Sequence, residues 1–379
     1  MGLFLTMSAI YLHIPFCLSK CAYCAFYSIA DQKLKKAFVE ALKKEIELRS
    51  DYIADEVKTV YFGGGTPTTL QASEIEEIMS CLYAHFNIAS NAEITIEANP
   101  DTLSPDYLFS LRHAGINRLS IGIQRFNDDD LRLLGRRHNS QHAMQCIDDA
   151  REAGFDNISI DLIYGIPGSQ SWEKNLRTFF SLAIPHLSAY SLTVEENSIL
   201  KKQIAKCLVH SVNEDDALRD YKLLCAMCHE NGFLHYEISN FAKPMHHSRH
   251  NSSYWNGTHY VGFGPAAHSF NGKSRQWNLA NVRRYIDLIN NNGFAELFEK
   301  EELTAEQRYN EYVITALRTL WGCDLVYIKR EMGEKFSNHL EKQAKPLIEN
   351  GSVTRTREFI HLNDQQMLMA DSIAVQLMI

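Results

Sequence analysis

Cys17-Leu18-Ser19-Lys20-Cys21-Ala22-Tyr23-Cys24-Ala25-Phe26 is the stretch from which the rest of this chain reads outward. Three cysteines at C-x-x-x-C-x-x-C spacing follow an apolar run, Ile10-Tyr11-Leu12-His13-Ile14. Thiolates so spaced can converge from one loop on a soft-metal centre. A 4Fe–4S cluster with a protein ligand on every iron takes four cysteines. Here Phe26 stands where a further ligand could have come. Three ligands would leave one iron open to a small molecule, the logic that separates catalytic from structural zinc sites. The plainer alternatives are a zinc knuckle or unligated core thiols. Zinc would want a fourth Cys or His close by, and His13 lies back in the preceding run.

Outward from this loop, short runs rich in Ile, Val, Leu and Tyr alternate with helix-length segments. Strands are predicted over 9–14, 57–62, 92–97, 118–123, 157–163 and 186–194, and helices over 33–49, 73–85, 104–113, 140–153 and 172–182. Ser73, with Glu76 three residues on, reads as an N-cap, and Ala114-Gly115 and Ala153-Gly154 read as helix stops. Repeated strand-then-helix order with continuously apolar strands means a parallel sheet covered by helices. The fold class is α/β, a partial (β/α)6 TIM-like barrel, whose chemistry belongs at the C-terminal strand ends. Those ends carry the distinctive residues. The second is Gly63-Gly64-Gly65-Thr66-Pro67, where missing side chains let backbone N–H groups approach a ligand. No Lys-Ser/Thr pair follows, so it is not a Walker loop. The third is Glu97-Ala98-Asn99-Pro100 and the fourth Gln124-Arg125-Phe126, while the fifth strand contains Asp161 before Tyr164-Gly165-Ile166-Pro167-Gly168. Singly each could be a turn; their recurrence at one end of successive strands points to a shared ligand site.

The 379 residues allow two or three domains, and 45% hydrophobic with 22% charged residues is an ordinary globular composition. A net charge of −8 argues against nucleic acid as a partner. Nine cysteines, an odd number, fit a reducing compartment better than a disulfide framework. No apolar run reaches the length of a membrane span. Met1-Gly2-Leu3-Phe4-Leu5-Thr6 formally matches a myristoylation signal but lacks a basic patch, and Met7 is an alternative start. The expected setting is cytoplasmic, with at most peripheral membrane association.

With these motifs the chain resembles the radical S-adenosylmethionine superfamily, in particular the oxygen-independent coproporphyrinogen III oxidases and their relatives. The resemblance rests on Tyr11-Leu12-His13-Ile14-Pro15-Phe16-Cys17, the three cysteines, Gly63–Pro67, Ser120-Ile121-Gly122-Ile123-Gln124 and Asp161–Pro167, and it covers essentially the whole chain. It implies that Cys17, Cys21 and Cys24 ligate three irons of a 4Fe–4S cluster while S-adenosylmethionine chelates the fourth. It further implies S-adenosylmethionine contacts from Tyr11, Tyr23, Gly64, Gly65, Thr66, Glu97, Gln124, Arg136 and Asp161. The residue types suit this: backbone amides and Arg136 meet carboxylate, Glu97 an ammonium, and Asp161 or Gln124 ribose hydroxyls. A reduced cluster near −400 mV or below, as in ferredoxins, could pass an electron to the sulfonium.

The second half decides the branch. Cys225-Ala226-Met227-Cys228 lies mid-way along a helical pattern over 213–231 and reads as core thiols rather than a redox or zinc pair. Tyr236–Ala242 looks like a last strand. Met245-His246-His247-Ser248-Arg249-His250-Asn251-Ser252-Ser253-Tyr254-Trp255 follows, and its bland reading is a loop of solvated histidines. An imidazole here could equally ligate haem iron while Tyr254 and Trp255 pack on the macrocycle. His250-Asn251-Ser252-Ser253-Tyr254-Trp255 resembles the H-N-x-x-Y-W signature of the haem chaperone branch, HemW. Phe26 agrees, since the decarboxylase branch usually has a further cysteine there. This branch implies haem as cargo, with His250 as its ligand and His246 and His247 as competitors. It also implies haem-accepting apoproteins of the respiratory chain, an electron donor such as flavodoxin or ferredoxin, and possible homodimerisation. Gly262–His268 could close the ligand site from another direction, and a helix is expected over 282–291. The boundaries expected are a core over 1–240, a connecting segment over 241–300 that completes it, and a C-terminal domain over 301–379. The last should be a small winged-helix-like α+β unit: helices at 304–320 and 340–348, a hairpin at 352–362 and a final helix. Seven Lys/Arg against five Asp/Glu between Val326 and Ile360 is too weak a balance for DNA.

Overall fold

A computed structural model describes residues 8–196, 198–363 and 366–379. Both candidate starts, Met1 and Met7, and the lipidation-like opening lie outside the described residues. Six strands pair in parallel in chain order: β1 (Ser8–Ile14), β2 (Val57–Gly64), β3 (Ile88–Ala98), β4 (Arg118–Gln124), β5 (Ile158–Tyr164) and β6 (His186–Ser191). Helices follow the first five: α1 (Lys35–Leu48), α2 (Ala72–His85), α3 (Pro105–His113), α4 (Asp128–Leu133) with α5 (Ser140–Glu152), and α6 (Trp172–Ser181). Apolar residues recur on one face of α1, where Phe38, Val39, Leu42 and Ile46 are buried, and this face packs on the sheet. One expected cap moves. Helix α2 starts at Ala72, with Gln71 as its N-cap and the Glu74 carboxylate accepting the Gln71 N–H at 2.8 Å. The reciprocal pair closes two residues before Ser73, so Ser73 lies inside the first turn.

The sheet extends past the six strands on both sides. After β6 come α7 (Ile199–Ala205) and α8 (Glu214–Glu230), then the predicted single strand splits into β7 (Leu234–Glu237) and β8 (Asn240–Ala242). These two are antiparallel, and β8 pairs antiparallel with β6. Helix α9 (Arg249–Trp255) leads to β9 (His259–Phe263), which pairs in parallel with the outer side of β1. β10 (His268–Phe270), β11 (Ser274–Asn278) and β12 (Phe298–Glu302) continue antiparallel, with α10 (Val282–Asn290) between the last two. Gly262–His268, expected to close the ligand site, is thus the turn that starts this extension. A buried pair locks it to α1: Arg49 donates to Glu45 at 3.0 Å and to the Gly262 carbonyl at 2.8 Å, while Glu45 accepts from Gly264 N–H at 2.8 Å and Tyr285 Oη at 2.7 Å.

The C-terminal region has its own core, built from Tyr309, Val313, Leu340, Ile360 and Leu377 among others. It comprises α11 (Ala305–Leu317), β13 (Cys323–Asp324), α12 (Leu325–Glu331), α13 (Glu334–Glu349), β14 (Thr354–Arg355), β15 (Phe359–His361) and α14 (Ala370–Leu377). The hairpin expected at 352–362 is β14–β15, and β13 adds a third strand. This unit abuts the barrel where Ile238 N–H meets the Arg318 carbonyl at 2.9 Å and Leu320 N–H the Tyr236 carbonyl at 3.1 Å.

Candidate functional site

The cysteine loop hangs from the C-terminal end of β1 and is held from three sides. Thr66 N–H donates to the Phe16 carbonyl at 2.7 Å and Gly65 N–H to the Ile14 carbonyl at 2.9 Å, so the end of β2 clamps the loop's entry. Ala22 N–H reaches the Leu134 carbonyl at 3.0 Å and Leu200 N–H the Ala22 carbonyl at 2.8 Å, which fixes its middle. Cys17 N–H bonds to the Ile29 carbonyl at 3.0 Å. The glycines at the end of β2 therefore act differently from expectation. Their N–H groups serve the fold, with Gly64 N–H on Glu97 at 3.2 Å, instead of waiting for a ligand. What they provide is closeness. Gly64 has φ +104°, and a Cβ there would lie 2.7 Å from the His13 ring; one at Gly65 would lie 2.7 Å from the Phe16 carbonyl oxygen.

Cys17, Cys21 and Cys24 are all partly accessible, and two of the sulfurs have a polar side chain beside them. Arg136 Nη1 lies 3.2 Å from Cys21 Sγ, and Thr66 Oγ1 lies 3.6 Å from Cys17 Sγ. Burial raises the pKa of the Cys24 thiol, and the neighbouring Cys21 and Cys17 add to the rise. Among the described residues no three His, Cys, Asp or Glu gather closely enough for a single metal ion. Three soft donors in one loop, flanked by a cation and a hydroxyl, fit an anionic cluster that spreads its ligands.

Beneath the loop the barrel interior is open, and its walls carry the charge. Glu97 on β3 accepts from Tyr61 Oη at 2.8 Å, and Asp161 on β5 accepts from Ser120 Oγ at 3.2 Å. Burial pushes Glu97 up to about 7, against the Tyr61 hydroxyl's pull, and the Asp161 charge raises it further. Burial lifts Asp161 to about 6, opposed by the hydroxyls of Ser188 and Ser120 and by Arg118 and Arg136. Tyr11 on β1 lies near Glu97 and 6.2 Å ring to ring from Tyr61. Gln124 closes β4 at φ +67°, a conformation rare for a side-chain-bearing residue. Tyr23 sits in the loop beside Arg136 and the thiols of Cys21 and Cys24. The structure thus brings together Tyr11, Tyr23, Gly64, Gly65, Thr66, Glu97, Gln124, Arg136 and Asp161 at one end of the barrel.

His250 is the exception. It lies in α9, not in a solvated loop, and is buried in the barrel interior. Its Nδ1 is 2.8 Å from Thr59 Oγ1, its Nε2 is 2.9 Å from Tyr254 Oη, and its ring stacks on Tyr61 at 4.8 Å. Burial lowers it to about 3, helped by Arg118. Both ring nitrogens are thus hydrogen-bonded to hydroxyls within the barrel, the arrangement of a satisfied core histidine. Glu93 explains its placement, accepting the N–H groups of Arg249 and His250 at 3.0 Å each, a carboxylate on the α9 N-terminus. Of the competitors, His246 is exposed, while His247 packs on Tyr236 at 4.6 Å with its Nε2 buried and unpartnered. Cys228 is buried in α8 and Cys225 packs against the same core, as their helical positions led one to expect.

Three further residues complete the site; from the sequence Asn99 reads only as part of its strand end, and Tyr61 and Tyr190 carry no role. Asn99 donates to Thr66 Oγ1 at 3.0 Å and accepts from Arg136, so it links two strand ends beneath the cysteine loop. Tyr61 orients Glu97. Tyr190 on β6 is 42% exposed yet lies close to Asp161 and Glu97, so it lines the open interior. The signal for Tyr190 was its two-residue offset from Ser188 on the same strand face.

Comparison with known proteins places this geometry. Residues 11–179 match the radical SAM superfamily and residues 303–368 the HemN C-terminal domain. The chain is 34% identical to the heme chaperone HemW of Bacillus subtilis, over 97% of this chain and 98% of that one. It is 35% identical to the heme chaperone HemW of Escherichia coli over 69% of each. The solved structure of coproporphyrinogen III oxidase (HemN) from Escherichia coli, a radical SAM enzyme, superposes with a TM-score of 0.83 at 26% identity, covering 98% of this chain and 89% of that one.

Proposed function

The chain belongs to the HemW family of radical SAM proteins, and from that premise we propose that it is a haem chaperone, binding haem and delivering it to haem-requiring respiratory proteins. The observation that carries this is the end-to-end match to HemW relatives at higher identity than to the HemN structure. Phe26 supports it, standing 69% exposed where a fourth thiol would otherwise extend the motif. When bound, a 4Fe–4S cluster supplies a low-potential electron and S-adenosylmethionine an acceptor for it. We assign Cys17, Cys21 and Cys24 to hold the cluster, with Arg136 and Thr66 supporting two of the thiolates. Glu97 is positioned for an ammonium group, and Asp161, Gln124, Tyr11 and Tyr23 for the remaining polar edges of S-adenosylmethionine. A cytoplasmic setting belongs to the same proposal; among the described residues no helix is long and apolar enough to cross a membrane. An electron donor such as flavodoxin or ferredoxin, and a possible homodimer, complete it.

The test is anaerobic reconstitution, then haem titration and a porphyrinogen oxidation assay on one sample. Stoichiometric haem binding without decarboxylation is expected, and robust decarboxylation would place the chain with the oxidases instead. Replacing Cys17, Cys21 or Cys24 by Ala should abolish the expected four irons and four sulfides. Cys228→Ala should leave them in place. Cluster loss in that variant would overturn the ligand assignment.

A further inference from the structure

We propose that haem is carried in the cleft between the β9–β11 extension and the C-terminal unit, with His259 as its iron ligand. This deepens the chaperone reading and rests on it. The cleft encloses about 280 Å³ at the opposite end of β1 from the cysteines: His259 pairs with Ser8, the first residue of that strand. Six residue steps, about 20 Å, separate Ser8 from Ile14, where the cysteine loop begins. One wall presents Tyr254 and Phe270, and the other presents Tyr312 stacked on Tyr327 at 4.9 Å. Such walls suit a flat aromatic macrocycle.

The charge is complementary to propionates. Lys273, Arg275 and Arg308 line the cleft against two carboxylates, Glu311 and Glu331, in a chain whose net charge is −8. Arg275 pairs with Glu311 at 2.9 Å, but the Nε atoms of Arg275 and Arg308 are buried with no hydrogen-bond partner. Both side chains are partly accessible, so each guanidinium can turn its remaining N–H donors toward an anionic ligand in the cleft. His259 shows no hydrogen bond to its ring among the described residues; its aromatic neighbour is Phe270 at 6.3 Å. It is therefore the cleft's available imidazole, whereas His250 serves it indirectly, holding Tyr254 in the wall through the 2.9 Å bond. At this volume the cleft grips an edge of the macrocycle and leaves the rest exposed, as suits a cargo to be handed on.

The experiment titrates ferric haem and iron-free protoporphyrin into the reconstituted full-length protein and three variants. Lys273→Glu alone, at an exposed position, should weaken both ligands several-fold, and Lys273→Glu with Arg308→Glu at least tenfold. His259→Ala should shift the Soret band of ferric haem while leaving protoporphyrin affinity within twofold. Cluster absorbance reports that each variant is folded. Wild-type haem binding together with wild-type affinity and spectra in all three variants would overturn the cleft while sparing the chaperone reading. Absence of haem binding by the wild type would overturn both.

Discussion

At the scale of single residues, Glu97 decides how the interior meets a cationic ligand. Burial holds its pKa at about 7, far above the ordinary 4.5, so near neutral pH it is half protonated. Pairing with an ammonium needs the carboxylate, so below about pH 7 the incoming ligand must displace a proton. Affinity for S-adenosylmethionine should fall as pH drops, by up to about tenfold per unit. Calorimetric titrations at pH 6 and pH 8 check this, with Glu97→Gln expected to bind weakly at both. An equal affinity at the two pH values in the wild type would remove Glu97 from the site. His250 carries the second residue-level expectation. His250→Ala strands Thr59 and Tyr254 and opens a cavity beside Tyr61, at a cost of about 2–4 kcal/mol. A lowered melting temperature with an unshifted Soret maximum fits the buried role, and a changed iron spectrum would return His250 to the iron.

At the scale of elements, what was legible and what was not divides by the range of the interaction. The six parallel strands, their helices and the polar strand ends were readable because apolar period and strand-end chemistry are local signals. The role of α9 was not. Its seven residues look like a polar histidine-rich loop until Glu93, some 156 residues away, caps it. Strand β13 has two residues, too few to show a period, whereas the hairpin of β14 and β15 was readable. The β9–β12 extension stayed hidden for a related reason, since its anchor is a charge pair between α1 and distant backbone groups. Arg49 and Glu45 are 3% and 0% exposed, and together they meet Gly262, Gly264, Ser269 and Asn278. Arg49→Met should leave the Glu45 carboxylate buried without its cation, costing about 3–5 kcal/mol. Denaturant unfolding measures this, and a loss below about 1 kcal/mol would mean that the extension does not depend on the pair.

At the scale of the whole molecule, the barrel buries histidines whose pKa is lowered together with carboxylates whose pKa is raised, and their effects on stability oppose one another. Burial lowers His250 to about 3 and His138 to about 4, from 6.5. It raises Glu97 and Glu237 to about 7, from 4.5, and Asp161 to about 6, from 3.8. A depressed histidine contributes stability that is present above 6.5 and lost as pH falls toward its folded value, because only the unfolded chain takes the proton. A raised carboxylate contributes stability that is present below about 4 and lost as pH rises through its folded value. Each unmatched proton changes stability by about 1.4 kcal/mol per pH unit. Between about pH 4.5 and 6 the two sets largely cancel, so the unfolding midpoint should vary little there. Below about pH 4.5 the unfolded carboxylates begin to protonate as well and their opposition fades, while His138 nears its folded value of about 4, so the loss that persists toward about pH 3 is chiefly that of His250. Urea midpoints at half-unit intervals should therefore show a shallow region and then a steep acid limb. His250→Gln, which keeps a hydrogen-bonding side chain but cannot titrate, should make that limb shallower by about 1.4 kcal/mol per pH unit. Equal acid limbs in the two proteins would mean that His250 takes its proton equally in the folded and unfolded chains, and so is not held neutral inside the barrel.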